Sequence, residues 1–444
     1  MHLGFVNKKI SGWGRYPRGS TSVFRPERSA DYASKNLPKK MIARGSGLSY
    51  GDGSFASNSA TISTKLLNKI LAFDPINGTI SCQSGVTLEE IIEVSLSHGW
   101  FLPVTPGTAR VTAGGCAACD VHGKNHHVQG IGSFGNHIRS LQLLLANGDT
   151  VLCSKNENTD IFFATIGGMG LTGIIMDLTI QLTQISSTAM CVQNRKVNNL
   201  EEMFSILEEE HEYSHCVAWL DSNAKGKNLG RGVVMFGEHS RIRQPMKWQP
   251  IIRRSLPFSV PSIMLNKLTS YAFNSAVEFS SRNQNATQSN LANFFYPLDT
   301  ISNWNLLYGR LGFVEYQVVV PEVTAYQFIE YVITEMQKRN LYSFLTSMKR
   351  MGPASGGLLS FPMPGYSFSI DLPMADKNTI SFLDSMDEKL LESKGRVYLA
   401  KDARLKAGVF NEMYPSVQQF LSIKKKIDPD NRFSSDLSVR LGLD

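Results

Sequence analysis

Four glycine-rich loops within the first 173 residues constrain this chain more than any other feature of its sequence. They are ARGSGLSYGDG at 43–53, PGTARVTAGG at 106–115, VHGKNHHVQGIGSFGNH at 121–137 and IGGMGLTG at 166–173. Glycine tolerates positive φ and lets successive backbone N–H groups converge on an anion, while small residues let the backbone approach a flat ligand closely. We therefore expect the four loops to line one extended ligand that carries phosphates and an aromatic ring.

The first loop is not a Rossmann turn, because its glycines follow G-x-G-x-x-x-G and no long amphipathic helix comes after them. With 444 residues, the chain is too long for one ordinary core, so two domains are expected. Up to residue 185, short β-rich runs such as Thr79–Gln83 alternate with the loops. Thr87 and Glu90 have the spacing of a capping box before a helix at 88–97. These signals predict an α+β module.

Between about 190 and 400 aromatic residues become frequent and glycine-rich loops become rare. Strand-like runs such as Phe313–Val320 alternate with helical runs such as Val323–Lys338, which predicts a second domain of sheet and helix. The segment 239–277 has six basic residues and no acidic one, interleaved with apolar side chains and prolines. It is either a loop docked on its own domain, or a mobile lid or a surface that meets anionic lipid.

The cysteines and histidines do not form a metal-binding pattern. The six cysteines have no regular framework, which predicts reduced thiols. Cys116 and Cys119 form a C-x-x-C without a second ligand pair, so we interpret them as small residues packed against something flat. Four of the nine histidines fall between 122 and 137 but lack helical spacing, so no metal is expected.

The net charge of +7 permits an anionic partner. The sequence has no recognisable nucleic-acid motif, so we expect no nucleic acid; a phosphorylated substrate or an anionic membrane surface fits the charge. No apolar run could span a bilayer, and MHLGFVNKKISGWGR lacks the apolar core of a secretory signal. These features predict a protein that is cytoplasmic or peripheral on the inner membrane.

Taken together, the loops fit a flavin dinucleotide, and they resemble the FAD-binding domain of the vanillyl-alcohol oxidase superfamily. The resemblance extends along most of the chain to the family of decaprenylphosphoryl-β-D-ribose 2'-epimerase flavin subunits. Its most specific motif is HGKNHH at 122–127, and it continues through YPLD (296–299), SFPMPG (360–365), YLAKDAR (398–404) and IDPDNRFSSD (427–436).

The resemblance implies a PCMH-type FAD-binding domain at 1–185 completed by 400–444, and a substrate (cap) domain at 186–399. It implies non-covalent FAD, because Leu48 and Ser49 occupy the place where covalently flavinylated members often carry histidine. It also implies oxidation of the 2'-hydroxyl of a polyprenyl-phosphoryl-β-D-ribose to a ketone. That is the first half of epimerisation to arabinose for the cell envelope. A separate short-chain NAD(P)H-dependent reductase would complete the epimerisation, and a quinone or oxygen would reoxidise the flavin.

The resemblance further implies roles for individual residues, with lysines supplying charge for a phosphate or a developing alkoxide. The catalytic residues are Lys401, His122, Tyr50, Gln317 and Lys349. The FAD-binding residues are Arg44, Gly45, Ser46, Gly47, Leu48, Ser49, Tyr50, Gly51, Asp52, Pro106, Gly107, Thr108, Thr112, Gly114, Gly115, Cys119, His122, Gly123, Asn125, Gly167, Gly168, Gly170, Gly173, Ile174 and Tyr398. The substrate-binding residues are Lys124, Trp219, Tyr316, Gln317, Lys349, Ser369 and Lys401.

Two positions depart from the family pattern. Ser369 stands where mycobacterial members have a cysteine, so a thiol that covalent inhibitors could capture is missing, and Glu315 replaces an expected neutral Gln. A soluble aldonolactone or alditol oxidase of the same superfamily is the alternative interpretation. A basic protein that binds nucleic acid or a membrane surface without redox activity is a third, and it would be colourless.

Overall fold

The computed structural model describes residues 4–32, 37–209, 213–242, 246–261, 264–280 and 284–444. Arg243, Pro245 and Ile263, which belong to the predicted lid-like segment, lie outside the described residues.

Residues up to 184 build two larger sheets and a two-stranded one. The four-stranded sheet contains β1 (Val6–Ser11), β2 (Arg18–Phe24), β3 (Met41–Arg44) and β4 (Ala60–Ser63), in the order β1-β2-β4-β3. The five-stranded sheet contains β5 (Ile70–Asp74), β6 (Thr79–Gln83), β8 (Ile138–Leu144), β9 (Thr150–Ser154) and β10 (Ile174–Gln181), in the order β5-β6-β10-β8-β9. Strand β7 (Trp100–Phe101) pairs with β11 (Thr183–Gln184).

Three helices, α1 (Leu88–Ser95), α2 (Ala113–Ala118) and α3 (Thr159–Thr165), connect these strands. The capping box before α1 is confirmed: the Glu90 N–H donates to Thr87 Oγ1 at 3.3 Å, and the Thr87 N–H donates to the Glu90 carboxylate at 2.7 Å. Helix α1 ends two residues earlier than predicted, because the chain tightens into a 3₁₀ turn at Leu96–His98.

An eight-stranded sheet dominates the rest of the chain. Its order is β15-β12-β14-β13-β17-β18-β16-β19. The strands are β12 (Ala189–Val197), β13 (His215–Leu220), β14 (Gly232–His239), β15 (Gln284–Asn290), β16 (Phe313–Val320), β17 (Thr346–Met351), β18 (Gly365–Pro373) and β19 (Arg396–Val397). Helices α4 (Leu200–Glu208), α7 (Glu322–Lys338) and α8 (Thr379–Glu392) bury their apolar faces in the core on one side of it. The other side faces the first half of the chain.

The lid-like segment is docked over much of its described length. The Arg254 N–H donates to the Thr300 carbonyl at 2.8 Å, and the Val260 N–H donates to the Leu306 carbonyl at 3.0 Å. Helix α5 (Lys267–Ser280) follows, and α6 (Leu291–Phe295) lies after β15. The described part is therefore a strap along residues 297–306 rather than a detached lid. None of the helices in the described parts of the chain is long and apolar enough to cross a bilayer.

The C-terminal residues form α9 (Ala407–Met413), α10 (Val417–Ile427) and α11 (Asp436–Leu441) and return to the first sheet. The Met41 N–H donates to the Arg432 carbonyl at 2.7 Å, and the Ser434 N–H donates to the Met41 carbonyl at 2.9 Å. This arrangement supports the predicted completion of the first domain by residues 400–444, while the domain boundaries stay a prediction.

Arg440 on α11 ties three distant segments together. Its guanidinium donates to both carboxylate oxygens of Asp52, at 3.0 and 2.7 Å. It also donates to the carboxylate of Asp402 at 2.8 Å and to the carbonyl of Leu405 at 2.7 Å. Asp52 and Asp402 are both buried, so this arginine is their neutralising partner.

Replacing Arg440 with Gln is expected to lower the free energy of unfolding by about 3 kcal/mol, because two buried carboxylates lose their cation. Urea unfolding with FAD at saturation would measure the change. Lys389→Gln is the matched control, since Lys389 forms an exposed pair with Glu392 and should cost less than about 1 kcal/mol. Equal losses in the two variants would contradict the assignment.

Candidate active site

A long cavity lies between the glycine-rich loops and the eight-stranded sheet. Most of the predicted site residues line it: Gly45, Ser46, Gly47, Leu48, Ser49, Tyr50, Pro106, Gly107, Thr108, Thr112, Gly114, Gly115, Cys119, His122, Gly170, Gly173, Gln317, Lys349, Ser369, Tyr398 and Lys401. The structure therefore brings residues of all four loops and the predicted catalytic residues to one space. From the third loop, Val121 and His122 reach the lining.

The first loop is held in shape from behind by Arg44. The Arg44 guanidinium donates to Ser54 Oγ at 2.9 Å and to the Ser11 carbonyl at 2.7 Å. A Cβ on Gly47, which has a φ of 68°, would overlap that guanidinium. Burial lowers the pKa of Arg44 to about 10. Arg44 therefore supports the loop from beneath, and its contact with the cofactor stays a prediction.

The second loop ends in α2, where Thr112 Oγ1 accepts the Gly115 N–H at 3.3 Å. Cys116 and Cys119 line the cavity beside it, as expected for small residues against a flat ligand. All six cysteines are free. Burial raises the pKa of Cys119 to about 12, which keeps it a neutral thiol.

The fourth loop contributes Gly170, Gly173 and Met169 to the lining. Gly167 and Gly168 lie behind it, because the Gly167 N–H donates to the Ala117 carbonyl at 3.0 Å and a Cβ on Gly168 would overlap the Ala164 carbonyl. These two glycines pack the loop against α2 and α3, and their contacts with the cofactor stay predictions.

Five other predicted cofactor contacts also lie outside the lining. Asp52 pairs with Arg440, and Gly51 packs on the Asp402 carbonyl so closely that a side chain would not fit. Asn125 donates to the Pro103 carbonyl at 2.9 Å, with Gly123 packed beside it. Ile174 is buried in the strand core. These residues are held by neighbouring parts of the protein, and their contacts with the cofactor stay predictions.

The sheet presents one row of polar side chains to the cavity. Gln317, Ser369 and Ser347 are cross-strand neighbours, and the two serine hydroxyls lie 2.8 Å apart. Tyr316 points to the opposite face, since side chains alternate along a strand, and it packs in the helix-side core. Its predicted substrate contact is therefore corrected.

Two further predicted substrate residues lie away from the lining. Trp219 pairs with Ser347 but belongs to β13, one strand further out. Lys124 donates to the Phe294 carbonyl, and Lys124 Nζ lies 4.4 Å from the centre of the Phe294 ring. Burial, followed by the charge of Lys349, lowers the pKa of Lys124 to about 7.

The catalytic candidates form one cluster at the sheet end of the cavity. Lys349 Nζ donates to His122 Nδ1 at 3.2 Å. His122 Nε2 lies 3.1 Å from the side-chain amide nitrogen of Gln317, which also donates to Ser367 Oγ at 3.1 Å. Burial and the charge of Lys349 hold the pKa of His122 well below its ordinary value. The imidazole is therefore a neutral group fixed on both nitrogens.

Two cations and one carboxylate set the charge of this cluster. Lys401 Nζ lies 3.4 Å from the centre of the Tyr50 ring and 2.8 Å from a carboxylate oxygen of Glu315. Burial lowers the pKa of Lys349 to about 8. Burial, with the charge of Glu315 next, raises the pKa of Tyr50 well above its ordinary value. The cluster suits a substrate that carries both hydroxyls and an anionic group.

Several residues of the lining were not predicted from the sequence. They are Trp13, Met169, Ile175, Asp299, Ile301, Trp304 and Ser347. Asp299 lies in the YPLD motif of the resemblance, so its motif carried a signal. Among the described residues, no group of three or more His, Cys, Asp or Glu could hold a metal ion.

A buried histidine next to the cluster generates a pH prediction. His126 Nδ1 accepts the Gly352 N–H at 2.9 Å, and burial lowers its pKa to about 4. In the unfolded chain this histidine has an ordinary pKa of about 6.5. As the pH falls, the unfolded chain therefore takes up the proton before the folded chain does. His126 alone should lower the free energy of unfolding by up to about 1.4 kcal/mol per pH unit between about pH 6.5 and about pH 4, in addition to the share of other buried histidines such as His122. Urea unfolding across this range is the measurement.

His126→Asn retains an acceptor for the Gly352 N–H and should flatten the decline. His98→Asn is the control at an exposed histidine and should keep the wild-type slope. If His126→Asn retained the full slope, the assignment of the neutral buried histidine would fail.

Comparison with known proteins agrees with this geometry. A family model described as an FAD binding domain matches residues 29–154, and one described as D-arabinono-1,4-lactone oxidase matches residues 367–441. The chain is 35% identical to the decaprenylphosphoryl-beta-D-ribose oxidase of Mycolicibacterium smegmatis, over 99% of this chain and 98% of that protein. It is 29% identical to an uncharacterised protein of Streptomyces coelicolor, over 81% of this chain and 100% of that protein.

A more distant relative is L-galactono-1,4-lactone dehydrogenase 1 of Oryza sativa, 24% identical over 43% of this chain and 30% of that protein. The predicted resemblance, the two-domain α+β fold class of the PCMH type and the FAD cofactor are confirmed. The cavity is long, and glycines stand where its loops pack most closely on neighbouring atoms. Both features fit such a cofactor. The chain belongs to the decaprenylphosphoryl-β-D-ribose oxidase family of FAD-dependent oxidoreductases.

Proposed function

We propose that this enzyme oxidises the 2'-hydroxyl of a polyprenyl-phosphoryl-β-D-ribose to the 2'-keto sugar, the first half of epimerisation to the arabinose form for cell-envelope glycan synthesis. One observation carries the proposal: a single cavity joins the FAD-type loops to a cluster of two lysines, a neutral histidine and amide and hydroxyl groups. The similarity to the decaprenylphosphoryl-beta-D-ribose oxidase of Mycolicibacterium smegmatis supports it.

The residues that would hold the cofactor are those of the lining loops at 45–50, 106–115 and 169–173, with Tyr398 opposite them. Bound FAD supplies the two-electron acceptor that an alcohol oxidation requires. Attachment is non-covalent in this proposal. Cys119 remains a protonated thiol, and Leu48 and Ser49 offer no nucleophile of the usual kind at the first loop.

The protein's own groups would orient the sugar and stabilise charge. Gln317, Ser369 and Ser347 present hydrogen-bonding groups from one row of the sheet. Lys401 sits where it can stabilise negative charge that develops on the hydroxyl oxygen as the proton leaves, and Lys349 adds a second cation for the substrate phosphate or that same oxygen. His122, neutral and bonded on both sides, keeps Lys349 and Gln317 in place.

The proposal includes three partners that complete the reaction. A short-chain NAD(P)H-dependent reductase would reduce the 2'-ketone to the epimeric alcohol, because oxidation alone does not invert a centre. A quinone or oxygen would reoxidise the flavin. A peripheral position at a membrane is proposed as well, since the polyprenyl tail of the substrate resides in a bilayer.

An aldonolactone or alditol oxidase is the second candidate, and the match of residues 367–441 to the D-arabinono-1,4-lactone oxidase family favours it. Such substrates lack a phosphate, so Lys349 in the cavity would have no substrate anion to bind. The lipid-linked sugar is therefore preferred.

Anaerobic mixing separates the two candidates. Farnesylphosphoryl-β-D-ribose is expected to bleach the flavin absorbance within one turnover, whereas aldonolactones and alditols leave it oxidised. Ribose 5-phosphate is a further compound to test in the same experiment, because it carries a phosphate but no lipid. Bleaching by lactones alone would overturn the proposal, and a colourless protein after FAD reconstitution would overturn the flavoenzyme assignment.

The pKa of Lys349 near 8 gives a second prediction. Above about pH 8 the ammonium loses its proton, so wild-type kcat/KM on the phosphate-linked substrate should fall by about tenfold per pH unit. Steady-state kinetics between about pH 7 and about pH 9.5 would measure this. Lys349→Arg keeps its charge in this range, so its profile should be flat from a lower starting value. Lys349→Gln should be low throughout, and a wild-type decline retained in the Arg variant would contradict the role.

A further inference from the structure

The largest concentration of exposed apolar side chains lies outside the cavity, beside its wall. Among the described residues, ten of the twenty exposed large apolar side chains fall between 242 and 311, a stretch of about a sixth of the chain. A soluble surface normally scatters such residues singly, and a concentration of them marks an interaction site.

Hydrogen bonds join residues 254–260 of the strap to residues 300–309. Arg254 pairs with residues 300–302, and Val260 bonds to Leu306. The Arg15 guanidinium donates to both Ser259 Oγ at 3.0 Å and the Gly309 carbonyl at 2.9 Å. We call the exposed side chains of the strap, of the start of α5 and of residues 307–311 the strap face. Its apolar members are Ile252, Phe258, Met264, Leu268, Leu307 and Leu311, and its basic members are Arg254, Lys267 and Arg310.

The charge of the strap face has one sign. Neither 246–277 nor 300–314 contains an Asp or Glu. Arg253 is already paired with Glu89 at 2.6 Å, so it is left out of the face. Exposed apolar groups beside unopposed cations match the two attractions of an anionic bilayer, whose interior takes apolar side chains and whose headgroups take lysine and arginine.

The position of the strap face connects it to the site. Residues 297–306, along which the strap runs, also supply Leu298, Ile301 and Trp304 to the cavity lining. One side of this wall therefore faces the cavity and the other carries the strap. A lipid-linked substrate would need its sugar in the cavity and its tail in a bilayer. The wall at 297–306 lies between the cavity and the strap face, so the sugar and the tail would meet there.

We propose that the strap face docks the enzyme on anionic lipid bilayers, so that the polyprenyl-phosphate substrate enters from the membrane. The proposal rests on the proposed function for its substrate, but the docking itself does not depend on turnover. DNA is the competing partner for a basic surface, and it is disfavoured because the most exposed members are apolar: Ile252, Phe258 and Leu268 are 86%, 69% and 76% exposed.

Co-sedimentation of the FAD-loaded full chain with vesicles tests the docking. Binding is expected with vesicles of phosphatidylglycerol and phosphatidylcholine, with much weaker binding to phosphatidylcholine alone and a decline as salt rises. Ile252→Asp combined with Phe258→Asp should weaken binding at least tenfold, and Arg254→Glu with Lys267→Glu should do the same on anionic vesicles only.

The control is Ile76→Asp combined with Val323→Asp, because Ile76 and Val323 are 84% and 91% exposed and lie outside the strap face. This control should bind vesicles like the wild type. Wild-type protein that stays in the supernatant, equal losses in face and control variants, or capture by a DNA fragment in place of vesicles would each overturn the docking.

Kinetics separate this proposal from the proposed function. Face variants should lose kcat/KM at least tenfold on a long-chain substrate embedded in vesicles, and should keep it on a water-soluble farnesyl analogue. If no lipid-linked ribose is oxidised in either form while vesicles still bind, the substrate assignment fails and the docking stands.

Discussion

The contact between the first glycine-rich loop and the turn at 398–405 is the interaction on which the site depends. The Tyr50 N–H donates to the Ala400 carbonyl at 2.9 Å, and Gly51 rests against the Asp402 carbonyl. These contacts place the ring of Tyr50 beneath Lys401. Arg440 closes the arrangement from behind by neutralising a carboxylate on each segment. Residues at both ends of the sequence thereby build one wall of the cavity.

Charge is distributed unevenly along that cavity. The loop end is lined mainly by glycine, serine, threonine and small apolar residues, whose backbone can approach a large ligand. The sheet end gathers Lys349, Lys401 and Glu315 around a neutral His122. Burial weakens the protonation of Lys349 and His122 but leaves Lys401 paired with a carboxylate. This division explains how one space can serve both a flat cofactor and an anionic sugar.

Local patterns made several elements predictable from the sequence. Strands β6 and β16 fall at the predicted residues, and the capping box at Thr87 is formed, because each depends on residues close in the chain. The motifs also predicted which loops meet. They did not distinguish residues that line the cavity from those behind it: Arg44, Asp52 and Gly168 stand in the same motifs as the lining residues. The direction in which these three residues face depends on their partners. Ser11 and Arg440 are remote in sequence from Arg44 and Asp52, and the contact of Gly168 with Ala164 is set by the turn between them.

The row formed by Gln317, Ser369 and Ser347 spans three neighbouring strands of a sheet whose other face is filled by helices. The glycine-rich loops and this row come from different parts of the chain, and they are joined directly where His122 lies 3.1 Å from Gln317. Substitutions at Ser369 and Ser347, whose hydroxyls bond to each other, can change the polar surface of the cavity while the loops keep their contacts. The specificity of such an oxidase can therefore change at these two positions ahead of its cofactor loops.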